Sequence, residues 1–102
     1  MVPPNTVTLK IPINRWNLAD AGRRRDGGDK AANPLGPALM ERSAYVLQEC
    51  WEDRLVLVHF PTGRHYAGAV PKALADYLAR FRAGEAVQVA QIFELVLMAV
   101  DD

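Results

Sequence analysis

Apolar and polar positions alternate from Thr6 to Ile13, with Val7, Leu9, Ile11 and Ile13 set against Thr6, Thr8, Lys10 and Pro12. A period of two puts the two sets on opposite faces of an extended chain, so this stretch predicts a strand with one buried face. Pro12 cannot donate to a ladder and places that strand at an edge or at its own end. From Asn14 to Asn33 neither period persists beyond a short turn at Trp16 to Ala21, and the segment predicts a long polar loop over residues 14–33. Loops of that length inside compact domains are functional or disordered.

A helical period then begins near Pro34 or Pro37, since proline is well placed in a first turn, and continues to about Asp53. At about 100° per residue, Leu39, Met40, Ser43, Ala44, Val46, Leu47, Cys50 and Trp51 fall on one side, with Glu41, Arg42, Tyr45, Gln48, Glu49 and Glu52 on the other. Leu55 to Phe60 and Arg64 to Val70 flank Pro61-Thr62-Gly63 and predict a hairpin. A three-residue loop pairs Phe60 with Arg64, and therefore His59 with His65. Pro71 opens a further helix with Leu74, Tyr77, Leu78 and Phe81 on its apolar stripe, and Gly84 stops it. Glu85 to Val100 fits either period. Its density of Val, Ile, Phe and Leu favours a strand over Ile92 to Val100.

The resulting order, β-α-β-β-α-β, predicts an α+β fold with a four-stranded antiparallel sheet and two helices on one face, the ferredoxin-like arrangement. If the last segment is helical, the alternative is three strands and a C-terminal third helix. Both faces of the hairpin are apolar, so two helices on one side leave apolar surface uncovered, and a second copy of the chain is the simplest cover.

Composition narrows the classes. The chain has 102 residues, enough for one core, and is expected to form a single domain over 1–102. Twelve basic and twelve acidic side chains cancel, so any attraction to nucleic acid or an anionic membrane must come from a local patch. Cys50 is the sole cysteine, which excludes an intramolecular disulfide. The N-terminal stretch lacks the pattern of a signal peptide and no apolar run is long enough to span a bilayer, so the expected compartment is the cytoplasm, with no membrane partner. Arginine outnumbers lysine, alanine is abundant and Ser43 is the sole serine, a bias that fits a GC-rich bacterial or phage gene.

The most conspicuous candidate chemistry lies in the polar segment. Arg15, Arg23, Arg24, Arg25 and Lys30 stand beside Trp16, blunted by Asp20, Asp26 and Asp29. Adjacent guanidiniums grip carboxylates or phosphates in bidentate fashion, and an arginine set with an aromatic is also what interface hot spots favour. His59 and His65, as cross-strand neighbours, together with Tyr66 form a candidate small-ligand set. They lack the third and fourth ligands a metal needs, so no metal site and no cofactor are expected. Cys50 is flanked by Glu49, Glu52 and Asp53, the wrong setting for a thiolate nucleophile, and Ser43 lacks a nucleophile-elbow pattern.

No catalytic residues follow from these patterns. The expectation is a small non-enzymatic interaction or regulatory protein, a homodimer through its sheet that presents Arg15, Trp16, Arg23, Arg24, Arg25 and Lys30 to a protein partner, with phage or mobile-element origin in keeping with its size. A nucleic-acid-binding module using Arg23 to Arg25 is the first alternative, and a small-molecule binder using His59, His65 and Tyr66 is the second.

Overall fold

The computed structural model describes residues 5–29 and 31–100. Five antiparallel strands and three helices follow one another as β1 (Thr6–Ile13), α1 (Arg15–Asp26), α2 (Leu35–Arg42), β2 (Tyr45–Cys50), β3 (Arg54–His59), β4 (Arg64–Ala69), α3 (Lys72–Arg82) and β5 (Gln91–Ala99). The sheet order is β1-β5-β4-β3-β2, and the sheet curls into a half-barrel around the helices. This replaces the expected ferredoxin-like sheet of four strands with two helices. It also replaces the three-stranded alternative, because the C-terminal segment is the strand β5, inserted between β1 and β4.

Two local misreadings account for the difference. The segment expected as a polar loop is mostly the helix α1. Its stripe is made of Asn17 and Ala21 at i, i+4, so it carries almost no hydrophobic signal. Its N-terminus is set by a reciprocal cap, in which the Asn17 N–H donates to Asn14 Oδ1 at 2.9 Å and the Asn14 N–H donates to Asn17 Oδ1 at 3.0 Å. Arg23, Arg24 and Arg25 occupy its last turn, where cations meet the negative end of the helix dipole.

The second misreading is the helix expected to run to Asp53, which ends at Arg42. Ser43 ends it by donating its hydroxyl to the Leu39 carbonyl at 2.8 Å, and the same oxygen accepts the Tyr45 N–H at 3.1 Å as β2 begins. A bulge between Leu47 and Glu49 breaks the alternation of β2, which is why its apolar residues imitate a helical stripe. Helix α2 itself buries Leu35, Ala38 and Leu39 against β1 and β2.

Other elements match their patterns. β1 spans Thr6–Ile13 and buries Ile11 and Ile13, and α3 buries Leu74, Tyr77, Leu78 and Phe81. Gly84 takes φ +79 just beyond α3, a left-handed conformation that suits glycine, and the Glu85 N–H returns to the Arg80 carbonyl at 3.0 Å. The inner face of the sheet contributes Ile11, Leu55, Leu57, Tyr66, Phe93 and Leu95 to the core, and the Tyr77 ring meets Phe93 edge-on at 4.9 Å.

β4 and β5 join over a short register, Tyr66↔Ala99 and Ala67↔Met98, extended by the Val100 N–H to the His65 carbonyl at 2.9 Å. Beyond it the backbones crowd together at Gly68. A Cβ there would collide with the Val96 carbonyl oxygen and press on Leu97 Cδ2 at 3.0 Å. The glycine is required by this close approach of two strands, not by a turn.

Candidate interaction surface

The hairpin β3–β4 forms as expected, but its register differs by one residue. His59 pairs with Arg64 and Val58 with His65, leaving Phe60, Pro61, Thr62 and Gly63 in the tip. The His59 carbonyl closes the turn by accepting N–H groups from Thr62 at 3.2 Å and Gly63 at 2.8 Å, with Gly63 at φ +70. Because side chains alternate, the shift sends the two histidines to opposite faces. His59 lies inside, its ring 4.9 Å from Tyr45 and its Nδ1 2.9 Å from Thr62 Oγ1, whereas His65 lies outside beside Val58. Tyr66 is fully buried in the core. The candidate ligand set His59, His65 and Tyr66 is therefore not brought to one site. Among the described residues no group of three His, Cys, Asp or Glu side chains is placed to hold a metal ion.

The arginines divide by role. The guanidinium of Arg25 lies 4.5 Å from the Phe81 ring centroid, donates from Nη1 to the Phe81 carbonyl and donates from Nε to Asp26 Oδ1 at 3.1 Å. It therefore ties α1 to the end of α3. Arg23 and Arg24 project into solvent and share Asp20, at 3.5 and 3.6 Å. Such exposed pairs are worth little and leave both guanidiniums accessible. Arg15 stacks over the ring of Trp16 at 4.8 Å, and that indole is 66% exposed at the start of the same helix. The structure thus brings Arg15 and Trp16 together at one end of α1 and Arg23 and Arg24 at the other. Lys30 lies outside the described residues.

Cys50 ends β2, half-buried, instead of sitting in a helical stripe. Burial pushes its thiol above the ordinary value, while the neighbouring side chains of Arg82 and Asn33 pull it the other way. Trp51 follows in the β2–β3 turn and is exposed, not on the apolar side of a helix. It lines a groove of about 250 Å³ against α3 together with Glu52, Val70, Asp76, Leu78, Ala79 and Arg82.

A further exposed feature is the outer face of the sheet at β5. On β5 the odd positions Phe93, Leu95 and Leu97 are buried, and the even ones point outward: Ile92 is 63% exposed, Val96 52% and Met98 64%. By the cross-strand register Ala67 and Val56, and His65, Val58 and Val46, lie on the same face, with Val56 buried and the others half-buried. All three helices bury their apolar residues toward the inner side or one another, so none shields Val96 or Met98. The exposed residues on this face were not singled out in the sequence. The available signal was that Gln91–Ala99 is apolar on both faces apart from Gln91 and Glu94, as expected of a strand covered on both sides. No protein-family model, curated protein or solved structure matches the chain. No helix among the described residues is long and apolar enough to cross a membrane.

Proposed function

We propose that this protein is a non-enzymatic interaction module that engages a protein partner through the outer face of its sheet. The observation that carries the reading is the row of exposed apolar side chains on β5, Ile92, Val96 and Met98, which no helix covers. Contiguous exposed apolar surface rimmed by polar residues is the mark of an interface. Glu49 and Glu94 share this face with Lys10 and Arg54, so it offers a polyanion no net positive charge, which favours a protein over a nucleic acid. The α1 surface, with Trp16 and Arg15 at one end and Arg23 and Arg24 at the other, is a second area for partner contact. Arg25 contributes less to it, because its guanidinium is engaged by Phe81 and Asp26. A regulatory role, acting by occupancy and not by chemistry, is consistent with this arrangement.

The test is site-specific photocrosslinking. A photoreactive phenylalanine analogue at Val96 is expected to give a discrete protease-sensitive adduct in cells, while the same probe at exposed Ala73 on α3 gives none. Adducts removed by nuclease but not by protease would contradict the reading, as would the absence of any adduct at Val96.

A further inference from the structure

We propose that the free edge of β1 pairs with the β1 edge of a second copy of this chain, across a two-fold axis at Thr8. The inference concerns the rim of the sheet and is independent of the outer-face reading above. β1 and β2 are the two edges of the sheet, and they are built differently. β2 has six residues and is broken by the bulge between Leu47 and Glu49, a device that blunts an edge. β1 runs eight residues against β5 with no shift of register.

The ladder decides which backbone groups of β1 remain unpaired. The Ala99 N–H donates to the Asn5 carbonyl at 2.7 Å, so Asn5 stands in a hydrogen-bonded pair with β5. In an antiparallel ladder such pairs recur at every second residue, so Val7, Leu9, Ile11 and Ile13 turn their N–H and C=O groups toward β5. Those of Thr6, Thr8 and Lys10 point away from the sheet. These residues are exposed, and no backbone group among the described residues meets them. Pro12 is the next outward position. Its missing N–H falls on the unpaired side, so it leaves the β5 ladder intact and ends the open stretch.

The open stretch is complementary to itself. With Thr8 opposite Thr8 of the second copy, Thr6 faces Lys10 and Lys10 faces Thr6, each pair exchanging both N–H···O bonds. Val7 then lies opposite Leu9 on the inner side, where both are half-buried at the margin of the core, and each gains an apolar cross-strand partner. On the outer side each Lys10 meets a neutral threonine and stays four residues, about 13 Å, from the other Lys10. Centring the axis on Lys10 would set like charges face to face, and centring it on Leu9 would place Thr6 opposite Pro12, which cannot donate. The zero formal charge of the chain removes the long-range repulsion that keeps strongly charged proteins monomeric.

A single edge ladder falls below the roughly 800 Å² per partner of a standard interface, so the association is weak and reversible. It carries one sheet through both copies with their outer faces on the same side, so the exposed row of Ile92, Val96 and Met98 is presented twice.

Sedimentation velocity of the purified full chain, at concentrations up to about 1 mM, tests this directly. The expected result is a concentration-dependent shift from 11.3 kDa toward twice that mass. Thr8→Pro removes only an outward N–H, so it keeps the ladder to β5 and weakens association by about tenfold. Thr6 faces Lys10 of the other copy, so Thr6→Glu tightens association by about threefold and Thr6→Lys weakens it by a similar factor. Circular dichroism confirms that each variant is folded, and the two Thr6 variants decide the matter if Thr8→Pro is not. A chain monomeric throughout overturns the proposal, and so does a dimer that tolerates Thr8→Pro or responds alike to glutamate and lysine at position 6. A monomeric chain whose Val96 probe captures a protein leaves the outer-face reading standing, whereas a β1 dimer without a Val96 adduct does the reverse.

Discussion

Arg25 closes one end of the molecule by stacking its guanidinium 4.5 Å over the ring of Phe81 and donating to the Phe81 carbonyl. One side chain thereby joins the last turn of α1 to the last turn of α3, elements more than fifty residues apart in sequence. A stacked, partly buried cation and a charge-assisted hydrogen bond together predict that Arg25→Ala costs about 1.5–2 kcal/mol. Arg23→Ala and Arg24→Ala lose only exposed pairs with Asp20 and are expected to cost less than about 0.5 kcal/mol each. Urea denaturation of the three single variants checks this. Equal effects would mean that Arg25 does not join the two helices.

Gly68 marks where β4 and β5 come closest. Gly68→Ala puts a methyl group against the Val96 carbonyl, and two backbones cannot move apart without losing the short ladder between them. The expected cost is about 2–3 kcal/mol, read as a lower denaturation midpoint. Faster hydrogen exchange of the Val100 and Ala99 amides relative to those of β3 would locate the damage at this seam.

Stability should fall on the alkaline side. Cys50, Tyr45 and Tyr77 are all raised above their ordinary values: Cys50 and Tyr77 by burial, and Tyr45 by burial first and by the neighbouring Tyr66 second. A raised acid holds its proton more tightly when folded than unfolded, so the unfolded chain binds fewer protons and stability declines as pH rises. The contribution is intact below the unfolded values and is lost from about pH 8.5 upward, as first the thiol and then the phenols ionise in the unfolded chain. Denaturation midpoints should be level near neutrality and decline through this range. Tyr77→Phe should flatten the slope, and an unchanged slope in that variant would contradict the assignment.

How legible the fold was depended on where each element takes its signal. β1 and α3 carry unbroken periods and could be read from their side chains, the β3–β4 hairpin was read from its turn, and β5 was read from its density of Val, Ile, Phe and Leu although its period was ambiguous. The helix α1 could not, because it buries Asn17 and Ala21 instead of large apolar residues, and its order comes from a two-asparagine cap and from Arg25 reaching Phe81. β2 was absorbed into a helix because its bulge at Leu47/Glu49 restores a helix-like spacing, and Ser43 serves both as a stop and as a start. The paired histidines failed through one residue of loop length, which the pattern does not encode: the His59 carbonyl, not that of Phe60, closes the turn. The uncovered apolar face was legible in outline from the two-sided hairpin. Its exposed centre on β5 needed the strand order to place it.

The measurement closest to the central claim is a side-by-side comparison of stability and association for Val96→Lys/Met98→Lys. Both side chains are exposed and outside the core, so the double variant should keep its denaturation midpoint within about 0.5 kcal/mol of the parent. Placing two cations at the centre of an interface should at the same time abolish association with any protein captured from the Val96 side of the sheet. Retained stability with lost association is the predicted result. Unchanged association in the folded double variant would show that the outer face of the sheet is not where this protein meets its partner.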